Sequence, residues 1–305
     1  MIPVQFDYAA PETLEAAVNL LKENEGTEIL AGGHSLLREM KLGRVSPLLL
    51  VDLGKIQGLQ GIGLNRDPNG VVQIGVMTTY AQTANALKVK ENYRALAEAA
   101  LSIGDAQIRN WGRIGDIFAY HDLACDLPAA ALVLEATFNT ISPSSHRAIP
   151  AEEFINASFN MGLEPGEIVT SIDLPPYVTG TNSAYEKFQH PASGYTICGI
   201  ATLIRRSSSG IVSKCRVAVT GAHARAIRLR QVEAALEGKA PTTKNIAAAA
   251  NLATESVSIS QEASKELNSL SNNYVSAEYR THLMGVLTAR SLTRATERVE
   301  IRSYI

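Results

Sequence analysis

Apolar positions near the N-terminus change their spacing from segment to segment. Between residues 14 and 21 they recur at helical intervals behind a proline, which predicts a helix over residues 11–24. The segment TEIL then predicts a short strand that ends at a glycine pair. The uninterrupted apolar run SPLLLVDLG at residues 46–54 is typical of a strand buried on both faces, so the three segments predict a β-α-β-like opening unit.

A second unit is predicted to begin near Lys55. Two strand-like segments flank the turn signal DPNG at residues 67–70, and an alanine-rich stretch predicts a long helix over residues 79–102 with an interruption near residues 91–92. The run DLPAAALVLEATFNTI leaves helix and strand open as alternatives, because its apolar residues are nearly continuous. A turn and one last strand are predicted within residues 163–176, where two consecutive prolines stop the strand.

The C-terminal third shows a different order of elements. SAYEKFQ, YTICGIATLIRR and IVSKCRVAVTGA predict three strands, and helical segments follow that begin near Ala226, Thr243 and Ser276. Strands followed by helices indicate an α+β domain. The predicted organisation is a first domain over residues 1–176, with subdomains of about 1–54 and 55–176, and a C-terminal α+β domain over residues 177–305.

Composition and charge exclude several classes of function. With 46% hydrophobic residues and a net charge of −2, the 305-residue chain has the make-up of a globular protein and lacks the basic surplus of a general nucleic-acid-binding protein. No window approaches the roughly 18 apolar residues that a membrane span needs. The N-terminal sequence has neither the basic flank nor the apolar core of a secretion signal, so a cytoplasmic location is expected.

The cysteines and histidines predict no metal site in this chain. The three cysteines and six histidines are scattered, without a Cys-x-x-Cys pair or a His-x-x-x-His spacing. No convincing catalytic triad or carboxylate dyad is found either. We therefore expect no iron–sulfur cluster, no zinc and no catalytic side chain in the chain itself.

The stretch AGGHSLLREMKLG at residues 31–43 is the first candidate for a ligand-binding segment. Adjacent glycines let backbone N–H groups converge on an anion without obstruction from side chains, and His34 and Ser35 add polar donors. The stretch lacks the G-x-G-x-x-G of a Rossmann site and the Gly-Lys-Ser/Thr of a P-loop. A cradle for a diphosphate is one interpretation, and an ordinary tight turn is the other.

Several spaced motifs resemble one protein family over essentially the whole chain. The motifs are AGGHSLLREMKLG, LVDLGKI, QIRNWGRIGDIFAYHDLACDLPAA, YEKFQHPASGYTICGIA, VAVTGAHARAIRLRQVEAAL and YRTHLMGVLTARSLTRA. In this order they resemble the FAD-binding medium subunits of molybdenum hydroxylases, which include the medium subunit of carbon monoxide dehydrogenase and the FAD-binding subunit of xanthine dehydrogenase. The resemblance implies a fold of the vanillyl-alcohol-oxidase (PCMH) type, in which two subdomains hold FAD and a C-terminal α+β domain follows.

The resemblance also implies which residues contact FAD. Backbone N–H groups of the first motif would bind the diphosphate, and those of the second motif would face the same group. Either Asp122 or Asp126 would accept a hydrogen bond from the adenosine portion, while Lys187 and Tyr195 would lie near the flavin ring. The implied cofactor-binding residues are Gly32, Gly33, His34, Ser35, Leu36, Arg113, Ile114, Gly115, Asp122, Asp126, Ile168, Lys187 and Tyr195.

Some of these residues have an ordinary structural interpretation as well. Lys187 also fits a surface lysine at a strand end, and Tyr195 fits core packing. Asp126 stands before Leu-Pro, where a carboxylate commonly caps a helix. Trp111, the sole tryptophan, is expected to be a packing anchor.

The second motif departs from the family pattern Thr-Ile-Gly-Gly-Asn/Ser at Arg113, Asp116 and Ile117. Asp116 would place a carboxylate beside two phosphate charges. At about 4 Å and an effective dielectric constant of about 20, one such repulsion is worth about 4 kcal/mol. Arg113 offers two ways to offset it: an ion pair with Asp116, or a direct bidentate contact with the diphosphate.

The function implied by the resemblance is that of an oxidoreductase subunit in a hetero-oligomer. The chain would bind FAD and pass electrons to an external acceptor, while a large partner subunit holds the molybdenum cofactor and a small partner subunit holds [2Fe-2S] clusters. Because substrate chemistry belongs to the partner, carbon monoxide, a purine and an aldehyde remain alternatives.

Two other functions compete with this one. The first is a degenerate scaffold or assembly subunit with weak or absent FAD binding, which the changes at Arg113, Asp116 and Ile117 favour. The second is an FAD enzyme that acts alone, for which the sequence shows no covalent-flavin histidine or cysteine motif.

Overall fold

The computed structural model describes most of the chain. The described residues are 2–63, 69–119, 125–157, 162–223, 225–255 and 275–302.

The chain divides into two compact units, and each unit is assembled from separate stretches of sequence. The first unit comprises Met1–Thr83, Asp105–Asp122 and Ala136–Pro175. The second unit comprises Ala84–Gly104, Leu123–Glu135 and Pro176–Ile305.

The first unit begins with a small parallel sheet of order β1-β3-β2. Its strands are β1 (Asp7–Ala9), β2 (Thr27–Leu30) and β3 (Leu49–Asp52). Helix α1 (Leu14–Glu23) connects β1 to β2 and begins after Thr13, whose hydroxyl accepts a hydrogen bond from the Ala16 N–H at 3.1 Å. Helix α2 (Leu36–Lys41) connects β2 to β3, so the predicted β-α-β-like opening is confirmed.

A second, antiparallel sheet completes the strands of this unit in the order β4-β7-β5-β6. Its strands are β4 (Val72–Gly75), β5 (Thr137–Ile141), β6 (His146–Pro150) and β7 (Ile168–Leu174). For the run DLPAAALVLEATFNTI, the sequence left helix and strand open. The structure contains both, with a helix in the first half of the run and β5 in the second.

The alanine-rich helix predicted over residues 79–102 is confirmed in its interruption near residues 91–92, which falls at Tyr93, but is wrong in its continuity before that point. Three short helices replace it: α3 (Tyr80–Asn85), α4 (Leu87–Asn92) and α5 (Arg94–Leu101). Extended backbone at Ala86 separates the first two, and non-helical backbone at Tyr93 separates the last two. The second break coincides with burial of the Tyr93 ring, a tertiary demand that alanine content does not reveal.

Four more helices precede the strands of the second unit. These are α6 (Ala106–Trp111), α7 (Ile114–Ala119) and α9 (Ala151–Asn156) in the first unit, and α8 (Leu127–Val133) in the second. The ring of Phe154 on α9 stacks on Phe138 of β5, with centroids 4.2 Å apart.

The second unit is a four-stranded antiparallel sheet of order β11-β10-β9-β8 with helices packed against it. Its strands are β8 (Thr181–Gln189), β9 (Thr196–Arg206), β10 (Val212–Thr220) and β11 (Ile227–Arg228). Its C-terminal helices are α10 (Arg230–Leu236), α11 (Thr243–Asn251) and α12 (Ala277–Arg302). The three predicted strands are confirmed, and the helix expected near residue 226 begins later because β11 occupies that position.

The α+β class is thus confirmed, with strands and helices mixed in both units. None of the helices in the described ranges combines the length and the apolar character that crossing a bilayer requires.

Replacing Phe154 by alanine should destabilise the first unit strongly. Its side chain is fully buried and stacked on Phe138, and such truncations cost about 3–5 kcal/mol of unfolding free energy. Urea denaturation followed by circular dichroism measures the change. Leu48→Ala, at an exposed position of the same unit, is the control and should alter stability by about 0.5 kcal/mol or less. Similar losses in both variants would contradict the assigned core.

Candidate functional site

The first glycine motif forms the connection between β2 and α2. Gly33 has φ = 79°, a left-handed conformation that glycine adopts without strain. Its carbonyl accepts a hydrogen bond from the Leu37 N–H at 3.0 Å. The N–H groups of His34, Ser35 and Leu36, by contrast, have no hydrogen-bond acceptor in the part of the chain that the structure describes. Three consecutive unpaired donors thus begin the α2 turn.

The second motif is held in place by its own backbone. The N–H of Ile114 donates to the Thr78 carbonyl and the N–H of Gly115 to the Val76 carbonyl, both at 2.9 Å. A Cβ at Gly115 would lie 2.8 Å from the Val76 Cβ, so only glycine permits this approach. Because these two N–H groups are already paired, the predicted contact of Ile114 and Gly115 with a diphosphate stays a prediction.

The two motifs meet at Gly32. Its N–H donates to Asp116 Oδ1 at 3.0 Å, and its carbonyl accepts a hydrogen bond from the Trp111 indole N–H at 2.8 Å. A Cβ at Gly32 would lie 2.5 Å from Asp116 Oδ2 and 2.9 Å from the backbone nitrogen of Arg113. Glycine is therefore required at position 32 by a close approach of backbone to backbone.

Asp116 is buried in this contact and incompletely paired. Its exposed fraction is 8%, and its Oδ2 atom has no hydrogen-bond partner among the described residues. Burial raises the pKa of the carboxyl above its ordinary value, although the N–H groups of Gly32, Arg113 and Gly33 and the charge of His34 act in the opposite direction. The neutral acid is consequently easier to form here than at an exposed aspartate.

Of the two roles expected for Arg113, the structure shows that the ion pair with Asp116 is absent, and the direct contact with a diphosphate stays a prediction. Its guanidinium donates to the Trp111 carbonyl and lies over the Trp111 ring, 5.8 Å from the centroid, and it forms no ion pair with Asp116. Trp111 itself is 63% exposed, so the expectation of a packing anchor is wrong. The indole instead uses its N–H to hold Gly32.

A pocket in the first unit gathers several of the predicted residues. Its lining comprises Ile29, Ala31, Ser35, Leu36, Leu53, Val76, Gly115, Asp116, Leu163, Ile168 and Val169. Ile168 begins β7 next to Glu167, whose carboxylate accepts hydrogen bonds from the Arg147 side chain (Nε at 2.8 Å) and the Glu164 N–H at 2.8 Å. This pairing fixes the start of β7 and thereby one wall of the pocket.

The donors of the first motif suit an anion such as a diphosphate. Gly32 and Gly33 carry no Cβ, and the unpaired N–H groups of residues 34–36 follow directly. Among the described lining residues, Asp116 is the group that opposes an anion, and it does so only in its ionised form. The residues present therefore fit a diphosphate on the condition that Asp116 is not ionised.

Asp126 and Lys187 form a buried polar cluster in the second unit. Asp126 accepts hydrogen bonds from the Tyr185 hydroxyl, the Thr196 hydroxyl at 2.6 Å and the Lys187 ammonium at 3.0 Å. Lys187 also donates to the Ser102 carbonyl at 2.9 Å, and only 6% of its side chain is exposed. The alternative of a surface lysine is thereby excluded.

The sheet positions this cluster. Tyr185 and Lys187 are two residues apart on β8 and therefore share a face. A Cβ at Gly199 on β9 would lie 2.1 Å from the Tyr185 hydroxyl oxygen, so glycine leaves room for the phenol. Burial and the neighbouring Asp126 raise the pKa of Tyr185 well above its ordinary value, which keeps the hydroxyl a donor.

The remaining sequence predictions about individual residues have different outcomes. Asp126 occupies the N-cap position of α8 but its side chain makes no cap hydrogen bond, so the capping alternative is wrong. Tyr195 is half-buried in the turn before β9, where its carbonyl accepts a hydrogen bond from the His190 N–H at 2.8 Å. Asp122 and the side chain of Ile117 lie outside the described residues. The cofactor contacts of Asp126, Lys187 and Tyr195 stay predictions.

The sequence does not predict the role of Trp111 at Gly32 or that of Val76 behind Gly115. The pairing of Thr79 with Arg113, an isolated β-bridge, brings Val76 and the second motif together. The sequence hint to a role for Trp111 is that the sole tryptophan stands just before the second motif. The hint does not identify its partner, because Gly32 lies 79 residues away.

Two family models cover nearly the whole chain. Residues 4–177 match the model described as the FAD binding domain in molybdopterin dehydrogenase. Residues 183–295 match the CO dehydrogenase flavoprotein C-terminal domain.

Individual relatives and structures agree with these matches. The carbon monoxide dehydrogenase medium chain of Hydrogenophaga pseudoflava is 34% identical over 98% of this chain and 99% of the relative. The 6-hydroxypseudooxynicotine dehydrogenase complex subunit alpha of Paenarthrobacter nicotinovorans is 30% identical over 98% and 97%, respectively. A solved structure of the Hydrogenophaga pseudoflava carbon monoxide dehydrogenase has a TM-score of 0.88 and 35% identity, covering 98% of this chain and 99% of that chain.

Lys187→Met should destabilise the second unit far more than Lys214→Met. The first change leaves the buried Asp126 without its cationic partner, which costs about 3–5 kcal/mol. Lys214 pairs with the partly exposed Glu135, and such a pair contributes about 1 kcal/mol or less. Urea denaturation of the two variants measures the difference in unfolding free energy. Equal effects would show that the Asp126 cluster does not stabilise the fold.

Proposed function

The chain belongs to the FAD-binding subunits of the molybdopterin dehydrogenases, and from this premise we propose that residues 32–36 hold the diphosphate of FAD. The observation that carries the proposal is a row of N–H groups at His34, Ser35 and Leu36 that find no acceptor among the described residues, directly after the glycine pair. Charge-assisted hydrogen bonds from such N–H groups to phosphate oxygens are stronger than those between neutral groups.

The surrounding residues would shape the site rather than react. Ile168 and Leu36 offer apolar surface in the same pocket, and the Trp111 indole N–H holds the Gly32 carbonyl. Asp126, Lys187 and Tyr195 of the second unit would contact the adenosine and flavin portions, as the family resemblance implies. FAD supplies the electron-accepting chemistry when bound, and the protein binds and orients it.

As part of the same proposal, the chain passes electrons from partner iron–sulfur clusters to an external acceptor. Several relatives carry the names of medium chains or of complex subunits, which supports a hetero-oligomer with a large molybdenum-cofactor subunit and a small [2Fe-2S] subunit. The domain boundary at residues 176–177 and a cytoplasmic location belong to the proposal too.

A degenerate scaffold is the second candidate function, and one observation favours it. The Gly32 N–H, a natural donor to a diphosphate, is already bonded to the Asp116 carboxylate at 3.0 Å. A subunit of this kind would keep the fold and its partner contacts but bind FAD weakly or not at all.

The purified chain should show flavin absorbance, and Gly32→Ala should weaken FAD binding about tenfold or more. The added Cβ would overlap Asp116 Oδ2 and the Arg113 nitrogen, which forces the two motifs apart. Flavin absorbance and titration of the FAD-free chain measure stoichiometry and affinity.

Gly43→Ala is the matched control. Gly43 has φ = 72°, but an added Cβ at this position would meet no described atom within 4 Å, so the variant tests backbone strain without a collision. It should bind FAD as the wild type does. Wild-type affinity in Gly32→Ala would refute the assignment of residues 32–36, and absence of binding in the wild type at any pH would favour the scaffold.

A further inference from the structure

Asp116 is the feature of the first unit that the proposed function leaves unexplained. Its Oδ1 accepts the Gly32 N–H at 3.0 Å, while Oδ2 is buried without a partner among the described residues. Buried polar atoms are nearly always hydrogen-bonded, so an orphaned one calls for a ligand or a function. Asp116 belongs to the lining of the pocket that Ser35 and Leu36 also line.

The position of the carboxylate makes it a competitor of any phosphate. In its ionised form it occupies the Gly32 N–H and adds a negative charge beside the unpaired N–H groups of residues 34–36. In its neutral form, Oδ1 can still accept the Gly32 N–H as a carbonyl oxygen. Oδ2 then carries a proton and becomes a donor, for which a phosphate oxygen is a strong acceptor.

We propose that Asp116 is a cofactor-binding residue that acts as the neutral acid, so that FAD binding takes up one proton at Oδ2. The proposal rests on the proposed function, because it assumes that residues 32–36 hold the diphosphate. The proton comes from solvent, and the carboxylic acid O–H then donates to the diphosphate. Asp116 thereby makes FAD affinity depend on pH.

The sign follows from linkage. Burial already raises the pKa of Asp116 in the free chain, and an adjacent diphosphate raises it further. Binding is therefore tightest below the free-chain pKa, and affinity falls by about tenfold per pH unit as the pH rises from the free-chain pKa to the bound-state pKa. Above the latter, affinity stops falling.

Two charged neighbours must be separated from this effect. His34 is the titratable group whose charge acts on Asp116. Arg113 lies three residues before Asp116, but its guanidinium is hydrogen-bonded to the Trp111 carbonyl. The pocket residues contributed by β7, the segment at Leu53 and the segment at Val76 are apolar or glycine. Since histidine ordinarily changes its charge between about pH 5 and pH 8, His34→Gln belongs in the experiment.

The experiment titrates the FAD-free full chain with FAD from about pH 5 to about pH 8 at constant ionic strength. Trp111 is the sole tryptophan and is bonded to Gly32, so its fluorescence reports occupancy of the cradle independently of any enzymatic activity. Calorimetry in buffers of different ionisation enthalpy counts the protons taken up. The chains compared are the wild type, Asp116→Asn, Asp116→Gly, His34→Gln and, as a control at an exposed aspartate, Asp7→Asn.

The wild type, Asp7→Asn and His34→Gln should lose affinity with rising pH and, between the free-chain and bound-state pKa values, take up close to one proton on binding FAD. Asp116→Asn keeps a neutral acceptor and an N–H donor at the same positions, so its affinity should lack the Asp116-dependent slope and exceed that of the wild type at high pH. It should also bind about tenfold more tightly than Asp116→Gly, which lacks the donor.

Contrary results separate the two proposals. FAD binding whose pH dependence is the same in the wild type and in Asp116→Asn would overturn the proton linkage and leave the FAD-binding function standing. Tighter binding by Asp116→Gly than by Asp116→Asn would overturn the donor role. Failure of every chain to bind FAD would overturn the proposed function and this inference together.

Discussion

The close approach of two backbone segments at Gly32 is the constraint on which the site of the first unit depends. The peptide groups around Gly32 are held on both sides, by Asp116 at the N–H and by the Trp111 indole at the carbonyl. No side chain fits between Gly32 and Arg113. The segment beyond Gly32 turns directly into α2, and the N–H groups of residues 34–36 form a donor row without an acceptor among the described residues.

The sequence pattern predicted those secondary-structure elements that depend on residues close together in the chain. The strands β8, β9 and β10 and the parallel opening follow from apolar runs and turn signals that lie within a few residues of each other. The glycine pair at positions 32 and 33 likewise indicated a close approach of the backbone, because glycine is the residue type that lacks a Cβ.

Contacts between distant positions could not be predicted in the same way. Asp126 meets Lys187 across 61 residues, and nothing in either local sequence distinguishes a buried hub from a helix cap or a surface lysine. Arg113 is a similar case, because an ion pair with Asp116 was expected and the guanidinium instead contacts Trp111, two residues away. The break at Ala86 divides a segment whose alanine content favours a continuous helix, and composition does not encode that break.

The two buried aspartates show why Asp116 is more than a defect of the second motif. Asp126 has a donor for each oxygen, including an ammonium group, which is how a folded protein ordinarily accommodates a buried carboxylate. Within the described residues, Asp116 has a donor for only one oxygen and no cation bonded to it, and an unsatisfied buried group costs about 1–3 kcal/mol. The repulsion of about 4 kcal/mol that the sequence suggested applies to the ionised carboxylate alone. In the neutral acid that repulsion vanishes, the burial cost falls, and the orphaned oxygen needs an acceptor. A phosphate has acceptors in excess, so the residue that opposes the cofactor in one protonation state binds it in the other.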